Sequence, residues 1–179
     1  CSLPISTLSS CASRQLEEVT FRRATISVPE LMATAGKYFR KVYKGNKAHI
    51  DFKIQPLEGR ITGDWNQLRF LLENLIDEAC SVTLDGAVCL SAREDGEFIR
   101  FLFTDMRREK TREELNQLFY PDLSRMTAGE KGELYGTEYL VCKQIIRDHD
   151  EFAGRRGCRI NAEPGKEGGF TIYFTLPKK

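Results

Sequence analysis

Two kinds of hydrophobic spacing alternate along this chain. Apolar residues at every third or fourth position predict amphipathic helices over residues 29–42, 65–79, 111–119 and 136–149. Alternating apolar and polar residues predict half-buried strands over residues 25–28, 49–54, 87–93, 98–104, 159–163 and 170–176, and a further short strand that ends at Ile61. This order of elements predicts an α+β fold: a two-layer sandwich with helices on one face of a mixed, mostly antiparallel sheet.

Local signals mark where several of these elements begin. Ser27 precedes a proline at the first turn of a helix, and Asp64 precedes the helical pattern over residues 65–79. Residues 111–114 read Thr-Arg-Glu-Glu, which is a capping box. The Asp-Gly pair at residues 95–96 separates two alternating runs and predicts a hairpin.

Composition and charge fit one soluble domain with a short extension. The chain has 179 residues, of which 41% are hydrophobic and 30% charged, with a formal net charge of +1. This balance gives no reason to expect nucleic acid or an anionic membrane as a partner. Residues 13–21 are helix-like and lead into the first strand, so we expect residues 1–22 to be the end of an upstream helix or linker and residues 23–179 to be the domain.

Six cysteines are present, and no two are spaced as Cys-x-x-Cys. Cys80 and Cys142 fall in apolar helical patterns, where a thiol is usually a small buried hydrophobe. No apolar run of about 18 residues occurs, and the start of the chain lacks the features of a signal peptide. We therefore expect the reduced cysteines of a cytoplasmic domain, with any membrane anchor of the parent protein outside this chain.

Four strings, in this order, resemble the ATPase domain of histidine kinases. Residues 63–79 resemble its N-box helix, residues 103–121 its adenine-binding loop and phenylalanine box, residues 143–149 the helix after its ATP lid, and residues 163–177 its closing hairpin. The wider group, the GHKL or Bergerat-fold superfamily, includes type II topoisomerases, Hsp90 chaperones and MutL mismatch-repair proteins. The resemblance implies ATP and Mg²⁺ as cofactors and phosphate transfer to a histidine.

The N box is altered at one of its two asparagines. The family carries two asparagines four residues apart on one helical face, where they help to hold Mg²⁺ against the ATP phosphates. This chain has Asn74 at the first position and Glu78 at the second. A glutamate is a hard oxygen ligand that suits Mg²⁺, but it also adds negative charge beside a polyphosphate. The alternative is that Asn74 and Glu78 are only polar edge positions of a helix.

The glycine-rich loop that follows is altered more strongly. The family has Asp-x-Gly-x-Gly, in which the aspartate receives the adenine amino group and the glycines let the backbone approach the nucleotide. Here the aspartate is Asp105, and Arg107 and Glu109 occupy the glycine positions. A left-handed backbone at a residue with a Cβ costs roughly 1–2 kcal/mol, so strain is expected. Either Arg107 or Arg108 contacts phosphate, or these are solvated loop charges; we favour the second interpretation.

The lid motif, Gly-x-Gly-x-Gly in the family, retains one glycine. The aligned residues 134–138 keep only Gly136, which either contributes to the nucleotide site before a helix amino terminus or is an ordinary loop residue. Glu138 in the first helical turn would compete with phosphate for the positive end of the helix.

Neither histidine lies in the motif of a phosphoacceptor. His49 falls on a predicted strand, and His149 lies near a helix end at a position that the family often fills with histidine. The acceptor is therefore expected on upstream dimerisation helices of the parent protein, and a response regulator is the expected partner. Three hypotheses follow: a working kinase domain with impaired nucleotide binding, a pseudokinase that acts as a protein-contact module, and a topoisomerase–chaperone relative. The third is discounted because its general-base glutamate precedes the asparagine, whereas Glu78 follows Asn74.

Overall fold

The protein is described here by a computed structural model that covers residues 20–120 and 137–179. Helices and strands follow the predicted order, with bounds that differ from the predicted ones by a few residues. In chain order they are β1 (Ala24–Ser27), α1 (Val28–Val42), β2 (Ile50–Gln55), β3 (Arg60–Gly63), α2 (Trp65–Cys80), β4 (Gly86–Asp95), β5 (Phe98–Asp105), α3 (Arg112–Phe119), α4 (Thr137–Phe152), β6 (Ile160–Pro164) and β7 (Phe170–Pro177).

The main sheet has five strands in the order β2–β4–β5–β7–β6. The β2–β4 pair is parallel and the other neighbours are antiparallel, which confirms the prediction of a mixed, mostly antiparallel sheet. Hairpins join β4 to β5 and β6 to β7, whereas the parallel pair needs a crossover that contains β3 and α2.

The core lies between this sheet and the helices. Alternate strand residues point inward and are buried, as Phe101 and Phe174 show: they are register partners with stacked rings 5.0 Å apart. The apolar stripe of α2 meets them from the other layer, with Leu68, Leu71, Leu72 and Leu75 buried. A stripe of this width on a helix is buried against a sheet face, so the two-layer prediction is confirmed.

A second, small sheet joins the two ends of the domain. β1 and β3 pair antiparallel, with Ile26 opposite Ile61 and both buried. Ile61 also forms a bridge with Lys178, and the backbone N–H of Lys179 donates to the Arg60 carbonyl at 2.9 Å. The pairing of β1 with β3 was not part of the sequence prediction.

The predicted helix starts are confirmed. Ser27 caps α1 and Asp64 caps α2, each through a side-chain oxygen that accepts a backbone N–H of the first turn. Thr111 and Glu114 form the reciprocal bonds of a capping box at the start of α3. None of the helices within residues 20–120 and 137–179 is both long and apolar enough to cross a membrane.

The chain before β1 is held by tertiary contacts. Residues 1–19, which include most of the predicted helix-like segment, lie outside the described residues, and residues 20–22 are not helical. Phe21 packs edge-on against His149, with ring centroids 4.9 Å apart, and the N–H of Arg22 donates to Asp64 Oδ2 at 2.9 Å. The domain boundary at residue 22 stays a prediction.

Candidate functional site

The candidate site lies where the end of β5 meets the carboxyl-terminal half of α2. Asp105 is the last residue of β5, and Asn74 and Glu78 lie on α2. The side chain of Asp105 is 1% exposed, although it is charged. A buried carboxylate needs nearby cations or hydrogen-bond donors, and the residues that follow it supply both.

Arg107 joins Asp105 to the end of α2. Its Nε and Nη2 each donate to an oxygen of Asp105 at 2.9 Å, and its backbone N–H donates to Oδ1 at 3.0 Å. On the other side, Nη2 donates to the Ala79 carbonyl at 2.6 Å, and Nη1 donates to the carbonyls of Val82 and Leu84 at 3.0 and 2.8 Å. All five N–H groups of a guanidinium are thereby used, and the side chain is 0% exposed.

Arg108 approaches the same carboxylate from the outside. Its Nε and Nη2 lie 3.3 Å from Asp105 Oδ2, and its side chain is 21% exposed. Its guanidinium lies over the ring of Phe170, 5.5 Å from the centroid. Arg108 therefore separates the buried Asp105–Arg107 pair from solvent.

Two glycines make room for this loop. At Gly86, with φ of +138°, an added Cβ would lie 2.7 Å from Cγ of Arg107. At Gly169, with φ of +70°, an added Cβ would lie 2.1 Å from the Asp105 carbonyl oxygen. The Gly169 N–H also donates to Oε1 of Glu109 at 2.8 Å, which ties the loop to the β6–β7 hairpin.

The interpretation of Arg107, Arg108 and Glu109 as solvated loop charges is wrong for Arg107, whereas Arg108 is partly exposed and Glu109 is exposed. Arg107 is fully buried, Arg108 is paired with Asp105, and Glu109 binds a backbone N–H. The expected left-handed strain is also absent, because no non-glycine residue in the described part of the chain has a positive φ. The loop that has Arg107 and Glu109 at the glycine positions is held by hydrogen bonds to Asp105 and to the N–H of Gly169.

The local electrostatics keep Asp105 ionised. Burial by itself would raise the pKa of this carboxyl, but the hydrogen bonds from the side chain and backbone of Arg107 outweigh burial and hold the pKa below its usual value. The charges of Arg107 and Arg108 lower it further. The site therefore contains a stable carboxylate, whose negative charge is more than balanced by two guanidinium groups.

Asn74 and Glu78 lie one turn apart on α2, as their spacing predicted. Asn74 is 9% exposed, and the charge of Glu78 acts on the pKa of Tyr139 on α4. Burial raises the pKa of Tyr139, Glu78 raises it further, and Arg108 lowers it. The geometric link between the two parts of the site is the hydrogen bond from Arg107 to the Ala79 carbonyl, one residue after Glu78 on α2.

The donor set fits Mg²⁺ only in part. Among residues 20–120 and 137–179, no group of three or more His, Cys, Asp or Glu side chains is placed to hold a metal ion. An amide oxygen from Asn74 and a carboxylate from Glu78 are nonetheless the hard ligands that Mg²⁺ takes, and Mg²⁺ usually completes its shell with phosphate oxygens and water. These two residues fit an ion that arrives together with a polyphosphate.

Asp77, between these two residues, anchors α2 to α1. Its Oδ1 accepts from the hydroxyls of Tyr38 and Tyr43, at 2.7 and 2.5 Å. Burial, followed by the hydrogen bond to Asp77, raises the pKa of both tyrosines, so both remain protonated donors. These two hydrogen bonds hold α2, which carries Asn74 and Glu78, against α1.

The described part of the chain leaves out two positions of the lid motif. Gly136 lies outside the described residues, as does the side chain of Glu138. Sequence reasoning in turn missed Tyr139, the buried role of Arg107 and the need for glycine at residue 86. The sequence did carry a signal for Gly86: an Asp-Gly pair, Asp85–Gly86, stands just before a strand and indicates a tight backbone conformation.

Comparison with known proteins decides the family. The family described as histidine kinase-, DNA gyrase B- and HSP90-like ATPase matches residues 63–179, which include all of the candidate site. The chain belongs to this family. Its domain is thus of the histidine kinase ATP-binding type, which confirms the resemblance seen in the sequence.

Individual relatives agree with this assignment. The adaptive-response sensory kinase SasA of Thermosynechococcus vestitus (strain NIES-2133 / IAM M-273 / BP-1) is 30% identical over 138 residues, which cover 75% of this chain. The match covers 34% of SasA, so the chain spans about a third of that relative.

Solved structures show the same fold. The nucleotide-free catalytic domain of histidine kinase ThkA is 18% identical, with a TM-score of 0.67 over 88% of this chain and 97% of that domain. The mycobacterial sensor histidine kinase MprB is 16% identical, with a TM-score of 0.62 over 88% of this chain and 99% of that one. ThkA in complex with the response regulator TrrA is 18% identical, with a TM-score of 0.66 over 98% of this chain and 48% of that one.

Proposed function

We propose that this chain is the ATP-binding catalytic domain of a two-component sensor histidine kinase, with weakened nucleotide binding. The observation that carries the proposal is the hydrogen bond from Arg107 of the Asp105 loop to the end of α2, the helix that carries Asn74 and Glu78, within a domain of the histidine kinase ATPase family. Weakening is proposed because both oxygens of Asp105 already accept hydrogen bonds from Arg107, at 2.9 Å each. A nucleotide base that needs this carboxylate must compete with an internal partner.

Each site residue has a distinct role in this proposal. Asn74 and Glu78 would hold Mg²⁺ against the phosphates, and the ion would neutralise charge on the transferred phosphoryl group. Glu78 introduces a negative charge where the family has a neutral asparagine, so phosphate binding becomes more dependent on the metal. Gly136 would contribute its backbone N–H beside the phosphates.

The rest of the phosphotransfer machinery is assigned to the parent protein. His149 is 0% exposed and both of its ring nitrogens are hydrogen-bonded, so we assign the phosphoacceptor to upstream dimerisation helices of the parent protein, outside this chain. ThkA is known in complex with a response regulator, which supports a response regulator as the partner of this chain as well. We place the domain in the cytoplasm, as part of a sensor that is either soluble or membrane-anchored.

Thermal unfolding of the 179-residue chain tests nucleotide binding. Mg-ATP at about ten times its Kd stabilises the folded state by ~1.4 kcal/mol, which raises Tm by about 3–6 °C in a domain of this size. Because Glu78 is proposed as a metal ligand, the rise should require Mg²⁺ and should be largely lost in the Glu78→Gln variant. The measurement is Tm with ATP plus Mg²⁺ against ATP plus a chelator.

Glu73→Gln is the matched control, since Glu73 lies on the same helix and pairs with Arg69 at 3.5 Å, away from the Asn74 and Glu78 face. It removes the same charge and should keep the rise in Tm. Equal loss in both variants, or a rise that is independent of Mg²⁺, would contradict the proposed metal site.

The second candidate is a pseudokinase that works as a protein-contact module without ATP turnover. The observation that favours it is the full bonding of Arg107, which gives the Asp105 loop a stable structure with no ligand. A complete absence of any Tm change at millimolar Mg-ATP would favour this candidate over the kinase.

A further inference from the structure

One edge of the main sheet, at β2, is open within the described part of the chain. Among residues 20–120 and 137–179, β2 pairs with β4 alone and is the first strand in the sheet order. The opposite edge differs, because β6 ends at Pro164 and packs closely against α3. Proteins commonly block an open edge with a proline, a bulge or a covering element. β2 contains no proline, and its pairing with β4 is continuous, without a bulge.

The open edge presents the backbone groups of alternate residues of β2. His49 directs its backbone towards β4, since its carbonyl accepts the Gly86 N–H at 3.1 Å. Successive residues of a strand direct their backbone groups to opposite sides. The N–H and C=O groups that point away from β4 therefore belong to Ile50, Phe52 and Ile54. These three residues can form hydrogen bonds with a further strand.

The charged side chains of β2 have a self-complementary order. Asp51 and Lys53 flank Phe52 in the sequence, and their side chains are 58% and 57% exposed. When a second copy of β2 lies antiparallel with the two Phe52 residues opposite each other, each Asp51 lies opposite a Lys53. In the same register each Ile50 lies opposite an Ile54. All residues whose backbone points outward are then paired with one another.

The apolar side chains at this edge also favour a neighbouring strand. Ile50, Phe52 and Ile54 are only partly buried. Phe52 packs against the rings of Phe39 and Phe103, with centroids 5.0 and 6.4 Å away, and leaves its other side open to the edge. A second strand covers the exposed part of these side chains, and aromatic or β-branched residues directly opposite each other stabilise antiparallel pairs.

We propose that β2 pairs with β2 of a second copy of this chain, antiparallel about a two-fold axis at Phe52, so that two five-stranded sheets become one. Each of the three outward pairs exchanges two backbone hydrogen bonds. Each Asp51 forms an ion pair with Lys53 of the partner subunit, at a pair position where the side chains lie close together. The inference does not depend on nucleotide binding, since the candidate site lies on β5 and α2.

Sedimentation equilibrium of the full 179-residue chain tests the inference. The interface is small, so Kd should be about 10–100 μM. As the protein concentration passes through this range, the weight-average mass should rise from one chain to two and no further, because a two-fold interface closes on itself. A mass that stays at one chain at about ten times the expected Kd, or that continues beyond two, would overturn the inference.

Charge reversal tests the register of the strand pair. Asp51→Lys and Lys53→Asp each place like charges opposite each other at two positions of the dimer, so each should weaken association by about tenfold or more. The double variant restores opposite charges at both positions and should return Kd to within about threefold of its original value. An equimolar mixture of the two single variants should also associate, because each lysine then faces an aspartate.

Glu151→Lys is the matched control, since Glu151 is exposed on α4 and the substitution changes the net charge by the same amount as Asp51→Lys. It should leave Kd unchanged. Equal weakening in Glu151→Lys would assign the effect to net charge, and a double variant that fails to recover would exclude the antiparallel register. Either result overturns the inference. Circular dichroism of each variant confirms that the fold is intact.

Discussion

Arg107 lies in a segment that the sequence marks as a polar loop, and yet it is among the most buried side chains of the site. Burial is tolerated because each of its five side-chain N–H groups has an oxygen partner, in Asp105 or in the carbonyls at the end of α2. The Ala79 carbonyl lies in the last turn of α2, so Arg107 helps to cap this helix, and the carbonyls of Val82 and Leu84 belong to the segment that follows it. Removing either member of such a buried pair typically costs ~3–5 kcal/mol.

The tight fit around Arg107 gives a prediction for Gly86→Ala. Its positive φ disfavours any residue with a Cβ, and the new methyl group would also meet the stem of Arg107 at 2.7 Å. We expect the free energy of unfolding to fall by about 2–4 kcal/mol, from the sum of backbone strain and displaced packing. Urea denaturation measures the change.

Gly45→Ala is its control, because Gly45 also has a positive φ, of +85°, and nothing lies within 4 Å of an added Cβ. It should cost only the backbone term, about 1–2 kcal/mol. Equal losses in the two variants would show that the contact with Arg107 contributes nothing.

Among the helices, α4 is connected to the start of α2 through His149. Its Nε2 accepts the backbone N–H of Asp64 at 3.0 Å, so the proton lies on Nδ1, which donates to the Ile145 carbonyl at 2.8 Å. Asp64 in turn caps α2 and accepts from Arg22. One neutral imidazole therefore joins two helices and the chain that enters the domain.

This arrangement predicts a loss of stability in mild acid. Burial lowers the pKa of His149 below its usual 6.5, although Ile145, Asp64 and Asp148 act in the opposite direction. Since the unfolded chain takes up the proton first, the contribution of His149 is complete above about pH 6.5 and is lost as the pH falls, by up to ~1.4 kcal/mol per pH unit. Urea denaturation at several pH values on both sides of the usual histidine pKa, from about 7.5 to about 5, measures this slope.

The His149→Gln variant should be less stable at neutral pH and should lose most of this pH dependence. His49→Gln is the matched control, since His49 is exposed and should leave the slope unchanged. A slope that persists in His149→Gln would assign the effect to other groups.

Across the whole molecule, the features that could be predicted from the sequence are those that depend on residues close together in the chain. The α2 stripe, the β4–β5 hairpin and the caps at Ser27 and Asp64 are local patterns, and all are confirmed. The β1–β3 pairing joins Ile26 to Ile61, and no local signal specifies that partner.

The same division holds for the site. The helical spacing of Asn74 and Glu78 placed them on one face of α2, and alternation placed Asp105 at the end of a strand. That Arg107 would turn inward depended on carbonyls some 25 residues earlier in the chain, at the end of α2. The pattern of charges alone favoured solvent, because buried arginines are rare and their partners are not visible in sequence.

The small sheet should unfold together with the rest of the domain. Ile61 is fully buried in the same core as α2 and the main sheet, and β3 is bonded to the end of the chain through Lys178 and Lys179. Trp65, the only tryptophan, begins α2 directly after β3, so its fluorescence reports this region while far-UV circular dichroism reports all elements. In urea the two transitions should coincide.

Ile61→Ala should lower the free energy of unfolding by about 2–5 kcal/mol, because it opens a cavity in this shared core, and the two probes should still coincide. Val42→Ala, at an exposed helix end, should cost no more than about 0.5 kcal/mol. A tryptophan transition at lower urea than the circular dichroism transition would mean that the small sheet unfolds independently. In that case the segment that enters the domain would unfold independently of the candidate site.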